Sequence, residues 1–414
     1  MALSWAIMRT RYRRKWSSPL ALLACGGLLL TGCAKFDDSV AGQTFSPAPV
    51  PTPESPPEVQ GPGSDSGSDG SGRGAGQGSD RTPIPPPQGC KDFNKAVIAT
   101  CLDTVAAVAG LPGDGSTPSA LAGERKSGRV LLATAGADAT EFAKLDVEAA
   151  GDGGLTGLAL SPSYVEDQLV FAYITTATDN RVVRFAKGQA PKPVLTGIPK
   201  GATGNHGALG TDGKGSLLVA TGDAGNPAAA TDPNSLAGKV LRIDTSGKAA
   251  AGNPNGSLVF ASGLHAPGGL CASADGGRLW VTDRLPDKDA IYRLQPGQTL
   301  TAPAWTWPDK PGVAGCVDFV DTSRWLSISA SLAGNLQNLP VGPDGAVTGK
   351  PQVSLDGKTG QPPETFGRLA GMSMINPQLA VAGTVNKDGG TPGSSDDRVV
   401  LISPQLGKGG NSKD

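Results

Sequence analysis

Two stretches of this chain spell nearly the same unit: Asp212-Gly213-Lys214-Gly215-Ser216-Leu217-Leu218-Val219-Ala220-Thr221-Gly222-Asp223 and Asp275-Gly276-Gly277-Arg278-Leu279-Trp280-Val281-Thr282-Asp283. Each reads as a tight Asp-Gly turn, with the glycine free to take positive φ, feeding a short strand that ends on a carboxylate. The chain's two histidines, His206 and His265, stand just upstream of the two copies. A recurring strand unit with a rare titratable residue at the same relative place predicts blades of a β-propeller with the histidines near one rim.

Strand-like runs cluster over 121–133, 155–185, 208–243, 269–294, 316–341 and 369–402. Their spacing of roughly 40 to 60 residues suits four-stranded blades with variable loops. The 60 glycines and 35 prolines supply turn formers, and no long amphipathic helix follows the N-terminus. The expectation is an all-β, six-bladed propeller over 90–404, closed by pairing of Arg398-Val399-Val400-Leu401-Ile402 into the first blade.

The N-terminus reads as an export signal. Arg9, Arg11, Arg13, Arg14 and Lys15 precede an apolar run from Leu20 to Leu30, too short for a comfortable membrane span. Leu30-Thr31-Gly32-Cys33 then matches a bacterial lipobox, which predicts a signal peptide over 1–32 and diacylglycerol on Cys33. Residues 33–89 are rich in Pro, Ser and Gly and read as a disordered tether, with a mean reach of about 40 Å. A disordered tail is expected over 405–414. Loss of the five basic residues takes the formal charge from −1 to −6, which argues against nucleic acid as a partner. The expected protein is an exported monomer, lipid-anchored at the outer face of the cell membrane. Export permits disulfides: Cys90 with Cys101 can staple the start of the domain. Cys271 and Cys316 either cross-link successive blades or are small buried apolar groups.

Four ordered blocks carry a resemblance: Gly154-Leu155-Thr156-Gly157-Leu158-Ala159-Leu160-Ser161-Pro162, Asp179-Asn180-Arg181-Val182-Val183-Arg184-Phe185, Thr221-Gly222-Asp223-Ala224-Gly225-Asn226-Pro227, and Ser235-Leu236-Ala237-Gly238-Lys239-Val240-Leu241-Arg242-Ile243-Asp244. With Leu279 to Asp283 and Trp307-Pro308 they resemble the soluble glucose/sorbosone dehydrogenase family over most of 120–310. With lipobox and tether, the whole is similar to mycobacterial envelope lipoproteins. The resemblance implies a six-bladed propeller that binds pyrroloquinoline quinone (PQQ) with calcium and oxidises a sugar hydroxyl. It makes His206 the base and Asp223 the carboxylate that orients it.

Three departures bear on that chemistry. The loop Gly204 to Leu209 is about two residues shorter than the resemblance requires, which moves His206 off the catalytic position. His265 and Ala266 stand where the family has Arg-Asn to grip the cofactor. Arg284-Leu285-Pro286 stands at the calcium position, where Leu285 and Pro286 carbonyls would be the metal ligands and Arg284 would replace the missing charge. Asp223, Asn226 and Asp232 offer a further oxygen set in one loop. Lys239 and Arg242 read as parts of a structural strand. The leading expectation is therefore a propeller degenerate for PQQ catalysis that acts as a binding or interaction module. The first alternative is a PQQ- and calcium-dependent aldose dehydrogenase with a rearranged site, based on His206 or His265. The second is a cell-wall glycan binder using Trp280, Trp305 and Trp307. Convergence of His206, Asp223, His265 and Arg284 at the channel mouth without an open pocket would favour the degenerate form.

Overall fold

A computed structural model describes residues 84–358 and 365–404. The expected signal peptide, Cys33, most of the tether and the tail lie outside the described residues. Among the described residues no helix is long and apolar enough to cross a membrane.

Six sheets form the blades, antiparallel throughout except that Gln298–Thr299 adds to the edge of the third in parallel with Val259–Ser262. Their innermost strands, in order, are Val105–Gly110, Leu155–Leu160, Gly207–Thr211, Pro267–Ala272, Val313–Phe319 and Leu369–Asn376. Each touches the next, and the last touches the first, which closes the ring. Alternating apolar residues fill the layers between blades; Phe171, Tyr173 and Leu209 of blades 2 and 3 share one such cluster, and Trp280 and Ile328 of blades 4 and 5 another. The inner strands approach the axis closely because glycine removes the side chain. A Cβ on Gly315 would lie 2.3 Å from the Met372 nitrogen, and one on Gly371 2.5 Å from the Ala106 oxygen.

The ring closes differently from the sequence expectation. Val399–Ile402 is the third strand of the last blade, between Leu379–Thr384 and the N-terminal strand Val97–Ala99. The N-terminal strand thus completes blade 6 from outside, so closure joins the two ends of the domain instead of carrying the C-terminal strand into blade 1. A cis peptide bond links Asp396 and Asp397 just before that strand. Asp397 ties the ends further, accepting from the Thr104 and Asn386 amides at 2.9 and 2.6 Å. Cys90 and Cys101 are disulfide-bonded beside this junction, and Cys271–Cys316 joins the inner strands of blades 4 and 5.

The two Asp-Gly turns join first and second strands of blades 3 and 4. Gly213 and Gly276 take φ of +68° and +63°, and the turns touch: a Cβ on Gly276 would lie 2.1 Å from the Asp212 oxygen. Arg242 clamps the first turn through Asp212 at 2.7 to 2.8 Å. Because a first strand runs toward its turn and the second returns, His206 and Asp223 of blade 3, and His265 and Asp283 of blade 4, all lie at the opposite rim.

Candidate functional site

At this rim the carboxylate and the histidine are paired, but not as the sequence suggested. Asp223 Oδ2 accepts from His265 Nδ1 at 2.5 Å; the Asp223 side chain is 1% exposed and that of His265 33%. The reason is register. Gly207 pairs with Thr221, and the Gly222 amide donates to the His206 carbonyl, so His206 faces Gly222 and the two-residue alternation turns Asp223 away. The loop 263–266, crossing from blade 3 to blade 4, lies against Asp223, whose amide donates to the His265 carbonyl. The expected His206–Asp223 pair is therefore replaced by a His265–Asp223 pair.

His206 also reaches toward blade 4. Its Nδ1 lies 2.9 Å from the Pro267 carbonyl, which can only accept, so Nδ1 carries the proton and Nε2 of the neutral ring keeps its lone pair. Burial, with the positive charge of Arg284 as second cause, pushes its pKa down to about 4. His206 is thus neutral at physiological pH. Asp152, which the sequence did not single out, supports its loop by accepting from the Gly204 amide at 3.0 Å and the Asn205 amide at 3.2 Å. Its place in Gly151-Asp152-Gly153-Gly154, immediately before the first resembling block, was the available signal.

Asp283, the counterpart of Asp223 in blade 4, is buried and accepts from the His265 and Ala266 amides at 3.0 and 2.7 Å. Burial pushes its carboxyl up to about 6, against the opposing pull of those amides. Arg284 follows it at the strand end, its amide bonded to the Ala266 carbonyl. Its Nε is buried without a hydrogen-bond partner, and its charge reaches His206 and Asp283. His206, Asp223, His265 and Arg284 therefore converge.

The calcium position does not fit calcium. The Pro286 carbonyl accepts from the Lys310 ammonium at 2.8 Å, so a protein cation already occupies the approach to one of the two expected ligands. The Leu285 amide is tied to Lys288, and the Leu285 side chain packs against the core shared by blades 3 and 4. A hard divalent cation needs six or more oxygens, and an ammonium beside it adds repulsion. Lys310 carried no sequence signal, because 24 residues separate it from Pro286. Asp223, Asn226 and Asp232 do not form a site either: Asp223 is committed to His265, and Asn226 and Asp232 are exposed. Among the described residues no three His, Cys, Asp or Glu side chains gather around a metal-sized space.

PQQ meets the same donor shortage. Its three carboxylates would require several free donors, yet Arg125 is committed to the Gly151 and Gly153 carbonyls and to Asp388, and Ala266 has no polar side chain. At this rim Arg284 is the remaining unpartnered guanidinium among the described residues. Among the described residues, the space on the axis between the inner strands is about 20 Å³. A cavity of about 590 Å³ opens at the opposite mouth among residues such as Leu158, Leu209, Leu270 and Met372, away from both histidines.

The tryptophans depart from a sugar platform. Trp280 is fully buried with its indole N–H on Asp318 at 2.9 Å, and Trp307 is 4% exposed with its indole on Gln337. Both fill the core between blades 4 and 5, with Trp305 packed against it.

Residues 106–311 match the Glucose / Sorbosone dehydrogenase family model. The aldose sugar dehydrogenase YliI of Escherichia coli K12 is 28% identical over 182 residues, which span 39% of this chain and about half, 49%, of that relative. The PQQ-bound aldose sugar dehydrogenase of Streptomyces coelicolor aligns at 29% identity over 74% of this chain and 96% of its own, with a TM-score of 0.65. A Thermus thermophilus oxidoreductase described as a glucose dehydrogenase aligns at 27% over 74% and 98%, also at 0.65. The chain thus has a glucose/sorbosone dehydrogenase-like six-bladed propeller.

Proposed function

We propose that this protein is an exported lipoprotein, anchored through Cys33 at the outer face of the cell membrane. In this reading its propeller has kept the sugar-dehydrogenase scaffold without calcium–quinone catalysis and works as a binding module. The observation that carries it is the Lys310 ammonium on the Pro286 carbonyl, where a catalytic calcium would need that oxygen. The diversion of Asp223 to His265 supports it, because it leaves His206 with a backbone carbonyl instead of a carboxylate to orient it. The test is steady-state dye reduction by the full chain with PQQ, calcium and a panel of aldoses and polyols. No turnover above the protein-free rate is expected; sugar-dependent reduction that saturates with PQQ overturns the reading.

One observation favours a second reading. His265 and Asp223 form the hydrogen-bonded pair expected of a base and its orienting group, with the imidazole partly open to solvent. A dehydrogenase using this pair would lose its activity in His265→Gln and keep most of it in His206→Gln.

A further inference from the structure

The polar groups at the rim divide into those already committed and those left free. Asp152 and Asp283 are held by backbone amides, and Asp223 by the His265 imidazole and the Gly225 amide. Arg125 is held by two carbonyls and Asp388. Arg284 differs. No nitrogen of its guanidinium bonds a described residue; its Nε is enclosed without a partner, and its two Nη nitrogens are left as the donors a ligand oxygen can reach. Nε2 of both histidines likewise bonds no described residue. His206 Nε2 is an acceptor, fixed as such by the Nδ1 bond to Pro267.

We propose that the rim binds a sugar acid carrying one carboxylate, with the carboxylate on Arg284 and hydroxyl groups on His206 and His265. This rests on the reading of the rim as a binding site. A planar carboxylate matches the guanidinium fork, and a neutral imidazole acceptor suits a hydroxyl donor. Among anions, the charge balance favours a monoanion over a dianion. One uncommitted guanidinium stands among three carboxylates, Asp152, Asp223 and Asp283, so a phosphate dianion meets more repulsion than a carboxylate does.

Isothermal titration of the full chain with D-glucuronate, D-glucose and inorganic phosphate tests this. D-glucuronate should bind at least tenfold more tightly than either of the others, and its affinity should fall with added NaCl while that of glucose does not. Arg284→Gln should weaken D-glucuronate about tenfold to a hundredfold and leave glucose unchanged, with Arg284→Lys intermediate. Thermal melts of both variants check that the fold survives, and the wild-type salt series reads the same charge preference without any substitution. Equal affinity for glucose, stronger binding of phosphate, an unchanged Arg284→Gln affinity or no heat with D-glucuronate would each overturn the proposal. If D-glucuronate and PQQ with calcium both fail to bind, only this assignment falls. If PQQ with calcium binds, the reading beneath it falls, whichever sugar is preferred.

Discussion

Blades 3 and 4 begin from nearly the same sequence unit and use it differently. In blade 3 the terminal carboxylate, Asp223, holds an imidazole; in blade 4 its counterpart, Asp283, holds the two amides of the loop carrying that imidazole. The third strands diverge too. Blade 3 opens its third strand with buried Lys239, whose ammonium donates to the Ala229, Ala230 and Ala237 carbonyls at 2.6 to 2.9 Å. Blade 4 opens its third strand with buried Asp289, which accepts from the Gly312 and Val313 amides. One repeat therefore provides a carboxylate and an anchoring residue at fixed places, and the neighbouring loop decides which protein groups they hold.

The largest effect expected is at the anchors. Lys239→Ala removes a buried cation from three carbonyls and should cost about 3 kcal/mol or more, with Asp289→Ala somewhat less because two amides are involved. Urea unfolding measures both, and a loss below about 1 kcal/mol for Lys239→Ala would remove its anchoring role. Burial also lowers the Lys239 pKa from 10.5 to about 8, so between those values the unfolded chain holds the proton that the folded one has shed. Stability of the wild type should therefore rise with pH across that window, and Lys239→Ala should flatten the rise.

A smaller effect separates the blades by the sign of their pH dependence. His206 has its pKa lowered from 6.5 to about 4, so its contribution to stability is present above 6.5 and is lost as pH falls toward 4. Asp283 is raised from 3.8 to about 6, so the folded state holds its proton longer and stability falls as pH rises between those values. The two trends oppose each other between about pH 4 and 6. Asp283→Asn should leave stability that rises with pH over this window, and His206→Gln stability that falls. Thermal melts at half-unit steps give both slopes; parallel slopes would contradict the assignment.

The smallest effect lies in the imidazole pair itself. Asp223→Asn should cost about 1 kcal/mol, because His265 is partly solvated and water replaces much of the bond. Its clearer readout is nuclear magnetic resonance, where the His265 Nδ1 proton should lose its strongly hydrogen-bonded shift while that of His206 does not move.

What could be read from sequence follows the range over which each feature is determined. Local alternation marks all six blades and the Asp-Gly turns mark blades 3 and 4, because strand period and positive φ at Gly213 and Gly276 are local properties. Val97–Ala99 is too short for its pattern to stand out, so the manner of closure was not legible. Arg284, Asp223 and both histidines at the rim were legible, but Asp152 and the pairing were not. His265 reaches Asp223 only because the 263–266 loop crosses between blades, and Lys310 reaches Pro286 from a separate loop. Tertiary path, rather than residue type, sets these contacts.

Whether the propeller has lost calcium–quinone binding is decided by calorimetric titration of the full chain with PQQ in excess calcium. No saturable heat is expected, because Lys310 holds the Pro286 carbonyl and, among the described residues, Arg284 is the one guanidinium at this rim left free for the cofactor's carboxylates. Stoichiometric binding at micromolar affinity or tighter, abolished by a calcium chelator, would contradict it.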